Sequence, residues 1–286
     1  MYSSTSKPPR KLSLFSQLVL LNSGFGQTFG WLFFGFGMIF FWVFFMGSEA
    51  VNLINFADWS PTNGIVTRVS DTNASENEES VVRVQYRYAV DGDSLEQTGY
   101  VTGYWPAEGT VIAVEYDAQN PHVARAEGMR RKMFGWGGGF VIIFPLVGLA
   151  FIVFTFKKNF HDIRLLIHGH FTRGKMIDKR STNTQVNNQT VYAYTFEFEA
   201  KNGRTYTVES RTAHTELLED EETEQIIYLA NHPEKATLFD TISGGPTLKS
   251  DGTLAEVSYG RAVVLIPPAI TLIGHGLYAA YRYGIL

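Results

Sequence analysis

An alternating stretch at residues 82–92, VRVQYRYAVDG, decides the fold of this chain. Its apolar side chains stand at every second position, as in a β-strand with one buried face. Asp91 and Gly92 follow the alternation, and this pair tolerates the positive φ angles of a type I′ hairpin turn. The stretch therefore predicts a strand that enters a hairpin, with Tyr86 and Tyr88 on its inward face.

A second stretch further along the chain, YTFEFEAKNG at residues 194–203, repeats this pattern. Tyr194, Phe196 and Phe198 alternate with polar residues, and Asn202 with Gly203 predicts the same type I′ turn. A glycine precedes the alternating stretch in each copy. A later predicted strand contains a Tyr in each copy, and in both copies Pro falls five residues after this Tyr and Ala falls eight residues after it. These landmarks are Gly64, Tyr116 and Pro121 in the first copy, and Gly174, Tyr228 and Pro233 in the second.

We interpret the repeat as a duplicated module, a small antiparallel β-barrel or sandwich of about five or six strands. The modules should superimpose, with Tyr86 and Tyr88 corresponding to Tyr194 or Phe196 and Phe198. The two closing tyrosines should each pack beside the proline turn that follows them and close each barrel at the same corner.

Three apolar segments lie before, between and after the modules, at residues 28–47, 133–156 and 262–282. Each has the length of about 20 residues that crosses the hydrocarbon core of a bilayer. The expected fold class is therefore membrane α plus β, with three transmembrane helices and two similar β domains. A cleavable signal peptide is the alternative for the first segment.

The remaining boundaries follow from these elements. A basic and interfacial segment is expected at 1–27, β domain 1 at 48–132, an extension of the second helix to about 167, β domain 2 at 168–243, and a linker at 244–261. Residues 12–22 are expected to form a separate interfacial helix, because Asn22-Ser23-Gly24 interrupts the apolar run. A simple upstream extension of the first span is the alternative.

The landmark order beside a membrane span resembles the bacterial family catalogued as domain of unknown function 3592. The pattern is G-x-V, Y-x-Y or Y-x-F, a glycine turn, and then Y-x-x-x-N-P. The second copy departs from it with Met176 in place of Val66 and His232 in place of Asn120. The resemblance covers both modules and their flanking spans. It implies a multi-pass protein of the bacterial inner membrane and supplies no catalytic residue.

Lys and Arg residues near the span ends predict the orientation. They number about nine on the side of the N-terminus and domain 2, and about five on the other side. This difference favours a cytoplasmic N-terminus, with domain 1 across the membrane from domain 2. Arg130-Arg131-Lys132 nevertheless adjoins the second span on the side assigned to the exterior. If Pro145 turned that span into a re-entrant hairpin, both domains would lie on one face.

Composition excludes several function classes. The chain has no Cys, which rules out disulfides, thiolate metal sites and a Cys nucleophile. Its formal net charge of -4 argues against a nucleic-acid partner. No G-x-S-x-G elbow occurs, and Gly137-Gly138-Gly139 lacks the Lys of a phosphate loop. We expect no enzyme activity and no cofactor.

The weak metal candidates are His168 and His170, which would share a face on a strand. A helix end followed by a turn is the favoured reading of the two histidines. The acidic run at 216–224 lacks the alternating pattern of a calcium loop and is expected to be a solvated loop or short helix.

Within the spans, small residues and one histidine stand out. The glycines Gly26, Gly30, Gly35 and Gly37 offer notches for close helix packing, although glycine is common in membrane helices. His275 is an ionisable residue inside the third span and thus a functional candidate, or it bonds to a neighbouring helix.

From these features we expect a non-catalytic integral membrane protein whose duplicated β modules mediate protein contacts in a homo-oligomer. Its expected partners are membrane lipid and either further copies or other membrane proteins. The alternatives are a small channel or transporter subunit and, third, a membrane-bound enzyme.

Overall fold

The computed structural model describes residues 6–54, 57–213, 215–219 and 222–285. It contains two five-stranded antiparallel sheets and three long apolar helices. The chain divides into two compact units, Phe36–Leu146 on the one hand and Met1–Gly35 with Val147–Leu286 on the other. The expected α plus β architecture is confirmed at this level.

Domain 1 is an antiparallel sheet with the strand order β3-β2-β1-β4-β5, in which the chain crosses from the edge strand β3 to pair β4 with β1. The sheet curls until its edge strands approach, and the Gln97 Nε2 on β3 donates to the backbone oxygen of His122 on β5 at 2.7 Å. The strands are β1 Trp59–Glu76, β2 Glu79–Val90, β3 Asp93–Thr102, β4 Val111–Asp117 and β5 Asn120–Ala126.

Domain 2 has the same strand order, β8-β7-β6-β9-β10. Its strands are β6 His170–Val186, β7 Gln189–Glu199, β8 Thr205–Thr212, β9 Thr223–Leu229 and β10 His232–Leu238. Each module therefore has five strands, and every strand of one has a counterpart at the same place in the order of the other.

Strand register fixes which aromatic residues correspond. The paired residues are Gly64 with Tyr88 and Val66 with Tyr86 in domain 1, and Gly174 with Phe198 and Met176 with Phe196 in domain 2. A bulge follows immediately in both copies. Tyr86 therefore corresponds to Phe196 and Tyr88 to Phe198, which resolves the alternative that the sequence left open. All four rings are buried in the sheet interior, as is Tyr194.

The two glycine turns differ from one another. Asp91 and Gly92 have φ angles of 51° and 92° and form the expected two-residue turn. In domain 2 the Ala200 N–H donates to the Arg204 oxygen at 3.0 Å, so the loop is 201–203, and of these residues only Gly203, at 72°, has a positive φ. The prediction of a type I′ turn there was wrong, because one additional residue makes a three-residue loop that needs a single left-handed position.

Three helices are long and apolar enough to span a membrane: Phe25–Phe45, Trp136–His168 and Tyr259–Arg282. Their α-helical parts are α2 Phe25–Phe40, α3 Ile143–His168 and α4 Ile266–Arg282. Pro145 lies in the first turn of α3, where its missing N–H is tolerated. Because α3 continues without interruption to His168, no re-entrant hairpin forms at this proline.

The segment before the first span forms its own helix, α1 Leu14–Leu21. The Ser13 hydroxyl accepts from the Ser16 N–H at its start, and the helix ends at Asn22. Its buried apolar residues, Val19 and Leu20, join a core cluster with the end of α3 and the outer side of β9. Leu254 and Val257 pack into the same cluster, so the range expected as a linker is part of a hydrophobic core.

Candidate protein-interaction surface

The outer face of domain 1 carries an open groove. Alternate residues of β1 and β4 point away from the sheet interior, and the two strands pair Ile65 with Val111, Asn63 with Ala113, and Pro61 with Glu115. These six residues are called here the domain 1 outer face. Of them only Glu115 is half-buried, the others being exposed. A groove of about 730 Å³ runs over this face and onto Arg125 and Glu127.

Charges of both signs line this groove. The Arg125 Nε donates to the Glu115 Oε2 at 2.6 Å, and both side chains are nearly half exposed. An ion pair with this exposure contributes about 0 to 1 kcal/mol. The pair is therefore weak enough for Arg125 and Glu115 to exchange partners with a second molecule.

The equivalent face of domain 2 is covered by other parts of the chain. Phe171 and Ile227 are paired in the positions that Pro61 and Glu115 occupy in domain 1. Ile227 is 0 % exposed, and both side chains belong to the cluster formed with α1 and the end of α3. This side of the module therefore binds helical protein segments in one of its two copies.

Arg10 binds the end of α3, one of the segments that cover this face of domain 2. Its Nη1 donates to the backbone oxygens of Leu166 at 3.1 Å and Gly169 at 2.8 Å, where the last carbonyls of α3 lack intrahelical partners. The guanidinium also lies 4.6 Å from the centre of the Phe171 ring. Burial lowers the pKa of Arg10 to about 10. The sequence marked this residue only as a basic charge near a span, because its carbonyl partners lie more than 150 positions away.

The polar ends of the interior aromatic residues are hydrogen-bonded. The Tyr88 hydroxyl donates to the Pro121 oxygen at 2.5 Å, and the Tyr228 hydroxyl accepts from the Lys201 N–H at 2.9 Å. Tyr194 donates to the Glu219 Oε1 at 2.5 Å, and burial followed by this carboxylate raises the pKa of Tyr194 to about 12. Side chains thus fill both interiors, as is usual for small barrels.

The closing tyrosines differ in burial. Tyr228 is 2 % exposed and contacts the rings of Phe198 and His170, at centroid distances of 5.5 and 6.0 Å. Tyr116 is only half-buried. Tyr116 packs against the interior cluster of domain 1, whereas the hydroxyl of Tyr88 bonds to Pro121 in the proline turn.

The two metal candidates do not converge. His168 is exposed at the last residue of α3, whereas His170 on β6 packs against Tyr228. Burial, followed by the charges of Lys201 and Arg10, lowers the pKa of His170. Within the described ranges, no group of three or more His, Asp or Glu residues is placed to hold a metal ion.

Glu219 of the acidic run is hydrogen-bonded to two side chains of the sheet. Glu219 accepts from the Lys179 Nζ at 2.5 Å as well as from Tyr194. These two donors lower the pKa of Glu219, with Lys179 as the larger cause. Asp220 and Glu221 of the same run lie outside the described residues.

The span glycines pack within the chain. A Cβ on Gly30 would lie 3.0 Å from the Ile152 backbone nitrogen, closer than such atoms normally approach. Gly26 lies against Thr155, Gly35 against Thr271, and Gly37 against the backbone of Pro145. These notches are thus occupied by helices of the same molecule.

Two polar groups inside the helices bind backbone carbonyls. The His275 Nε2 lies 3.0 Å from the Gly35 oxygen, one helical turn from Thr271 on the same side of α4. Asn159, which the sequence did not single out, donates to the oxygens of Leu21 at 3.0 Å and Ser23 at 2.9 Å. It therefore anchors the α1–α2 connection to α3.

Comparison with known proteins assigns no family. No family model, no curated protein and no solved structure matches the chain.

Proposed function

We propose that this protein is a non-catalytic integral membrane protein of the bacterial inner membrane, anchored by three spans, whose domain 1 binds a second copy of the chain. The observation that carries the proposal is the contrast between the two outer faces. One side of the module binds helical segments in domain 2, and the same side of domain 1 is an open groove.

The charges of the groove favour a second copy as the partner. In a two-fold contact every pair of residues occurs twice. If one residue of the first copy contacts a second residue of its partner, that second residue of the first copy contacts the first residue of the partner. A surface that carries Arg125 beside Glu115 and Glu127 can then pair opposite charges across the symmetry axis. The exposed Ile65 and Val111 next to the groove add apolar area to such a contact.

The orientation and the family relation belong to the same proposal. In this proposal the β domains lie on opposite sides of the membrane, as expected for domains separated by one span, and the excess of Lys and Arg supports a cytoplasmic N-terminus. The shared strand order and bulge position support a tandem duplication of the kind implied by domain of unknown function 3592.

The size of the detergent-extracted full chain, measured by light scattering after gel filtration, tests the contact. Ala113→Trp places a ring in the groove and should convert the dimer to a monomer. Ser94→Trp adds the same ring at an exposed position of β3 and should leave the dimer intact. A monomeric wild-type chain would overturn the proposal, and solute flux by the wild-type chain in liposomes would favour the channel alternative.

Reversing charges in the groove tests which residues face each other across the two-fold axis. Arg125→Glu should weaken the dimer, and Glu127→Arg added to it should restore part of the affinity if the two positions face each other across the axis. Arg87→Glu is the matched control, because the Arg87–Glu96 pair has the same 2.6 Å separation on the same domain but lies outside the groove.

A further inference from the structure

A second cavity of domain 1 lies where the first two spans enter the domain. It measures about 380 Å³ and is lined by Glu49, Asn52, Trp59, Arg125, Met129, Arg130, Arg131 and Trp136. Glu49 and Asn52 belong to the short helix that follows the first span, and Trp136 is the first residue of the second span. The cavity therefore lies at the level where the apolar helices end.

Backbone hydrogen bonds join the two span ends beside this cavity. The Phe134 N–H donates to the Gly47 oxygen at 2.9 Å, and the Glu49 N–H donates to the Phe134 oxygen at 3.0 Å. Backbone hydrogen bonds thus hold the end of the first span beside the start of the second at this side of the cavity. Trp136 is 58 % exposed, and tryptophan at the end of a span typically lies among lipid headgroups.

Most charges that face the cavity already have partners. Arg125 pairs with Glu115, and Arg130 pairs with Glu76 and donates to the Thr102 Oγ1 at 2.9 Å. The Glu49 carboxylate accepts from the Asn52 side chain and from the Lys132 N–H, both at 2.8 Å.

Arg131 differs from these residues. Within the described part of the chain its half-buried guanidinium has no carboxylate or carbonyl partner, and it lies 5.4 Å from the Trp59 ring centre. Arg125 lies over the same ring at 4.4 Å. The stacking holds two guanidinium groups beside the cavity and leaves the donors of Arg131 available. A planar guanidinium fits two oxygens of a phosphate at once.

We propose that this cavity binds the phosphate group of a membrane phospholipid, with Arg131 as the principal donor and Trp59 and Trp136 beside the headgroup. The proposal rests on the proposed membrane insertion. It also gives a function to Arg130-Arg131-Lys132, the basic run that the orientation argument left on the less basic side of the membrane.

Lipid binding by the full chain in detergent, followed by native mass spectrometry, tests the proposal. Phosphatidylglycerol should bind, whereas diacylglycerol with the same chains and no phosphate should not. Arg131→Gln should raise the dissociation constant roughly tenfold to a hundredfold, the usual effect of losing a hydrogen bond between charged groups. Arg68→Gln, which removes an exposed arginine outside the cavity, should have no effect.

Two further arms separate the outcomes. Displacement of the lipid by millimolar inorganic phosphate would identify free phosphate as the ligand and overturn the lipid assignment, as would equal binding by Arg131→Gln and wild type. Trp59→Leu should also weaken binding, which keeps the test decisive if Arg131→Gln misfolds. Carbonate extraction of cell membranes shows whether the chain is inserted in the membrane, whether or not the cavity holds a lipid. Light scattering measures the dimer, so failure of the lipid proposal can be told apart from failure of the proposed function.

Discussion

Replacing Tyr228 with Ala should destabilise domain 2 far more than replacing its counterpart Tyr116 destabilises domain 1. Tyr228 is 2 % exposed, and truncation of a buried aromatic side chain costs about 3 to 5 kcal/mol. We expect about 4 kcal/mol, of which about 1 kcal/mol is reproduced by Tyr228→Phe because the bond from the Lys201 N–H is lost. Tyr116 is half-buried, so its replacement should cost about 2 kcal/mol.

Hydrogen exchange of the full chain measures the effect locally, because exchange of core amides reports the free energy of opening. A loss of about 4 kcal/mol accelerates exchange roughly a thousandfold in peptides from β6 to β10. Peptides from β1 to β5 serve as the internal control and should not change. Equal effects of the two alanine variants on their own domains would refute the argument from burial, and an unchanged rate in Tyr228→Ala would refute the interior assignment.

Three further predictions concern the spans, the pH response and the topology. Gly30→Ala should lower the free energy of unfolding of the detergent-solubilised chain by about 1 to 3 kcal/mol, because its Cβ meets backbone; Gly274→Ala, which meets open space, should not. His170 has a lower pKa in the folded chain than in the unfolded chain, so the unfolded chain is protonated first as the pH falls. Domain 2 should therefore lose stability below pH 6.5, the ordinary pKa of histidine, and the loss should end below the pKa of His170 in the folded chain. A flat stability profile between pH 7 and 5, or the same slope in His170→Gln, would contradict this assignment. In a chain without native Cys, an impermeant thiol reagent applied to intact cells should label Asp93→Cys and not Lys201→Cys, and equal labelling would place both domains on one side.

The sequence predicted the interior of each β domain well. Alternation from Val82 to Val90 places one face of β2 in the core, and a slip of one residue would turn every ring outward. The two-residue turn at Asp91 and Gly92 followed from the same local chemistry. Such features depend on neighbours in the chain, and a single sequence contains that information.

Features that depend on distant partners were not predictable in this way. Two further turns with positive φ angles, at Asn77-Glu78 and Asn187-Asn188, extend β1 and β6 well beyond the predicted landmarks. Arg10 and Asn159 bind carbonyls of other helices, and nothing in their local sequence identifies those acceptors. The packed range 244–261 was expected as a linker because its contacts with α1 are equally remote.

Inward and outward positions of the two β domains follow different rules. Inward positions of both domains must fill a barrel, and Tyr86 and Phe196 are alike in size and burial. Outward positions have no such constraint, and the pair that is Pro61 with Glu115 in one copy is Phe171 with Ile227 in the other. A carboxylate at the position of Ile227 would be costly, because the packed helices would remove its charge from water. Each face therefore carries the residues that suit its present surroundings, and the exposed polar groove of domain 1 suits a partner that binds through charges as well as apolar contacts.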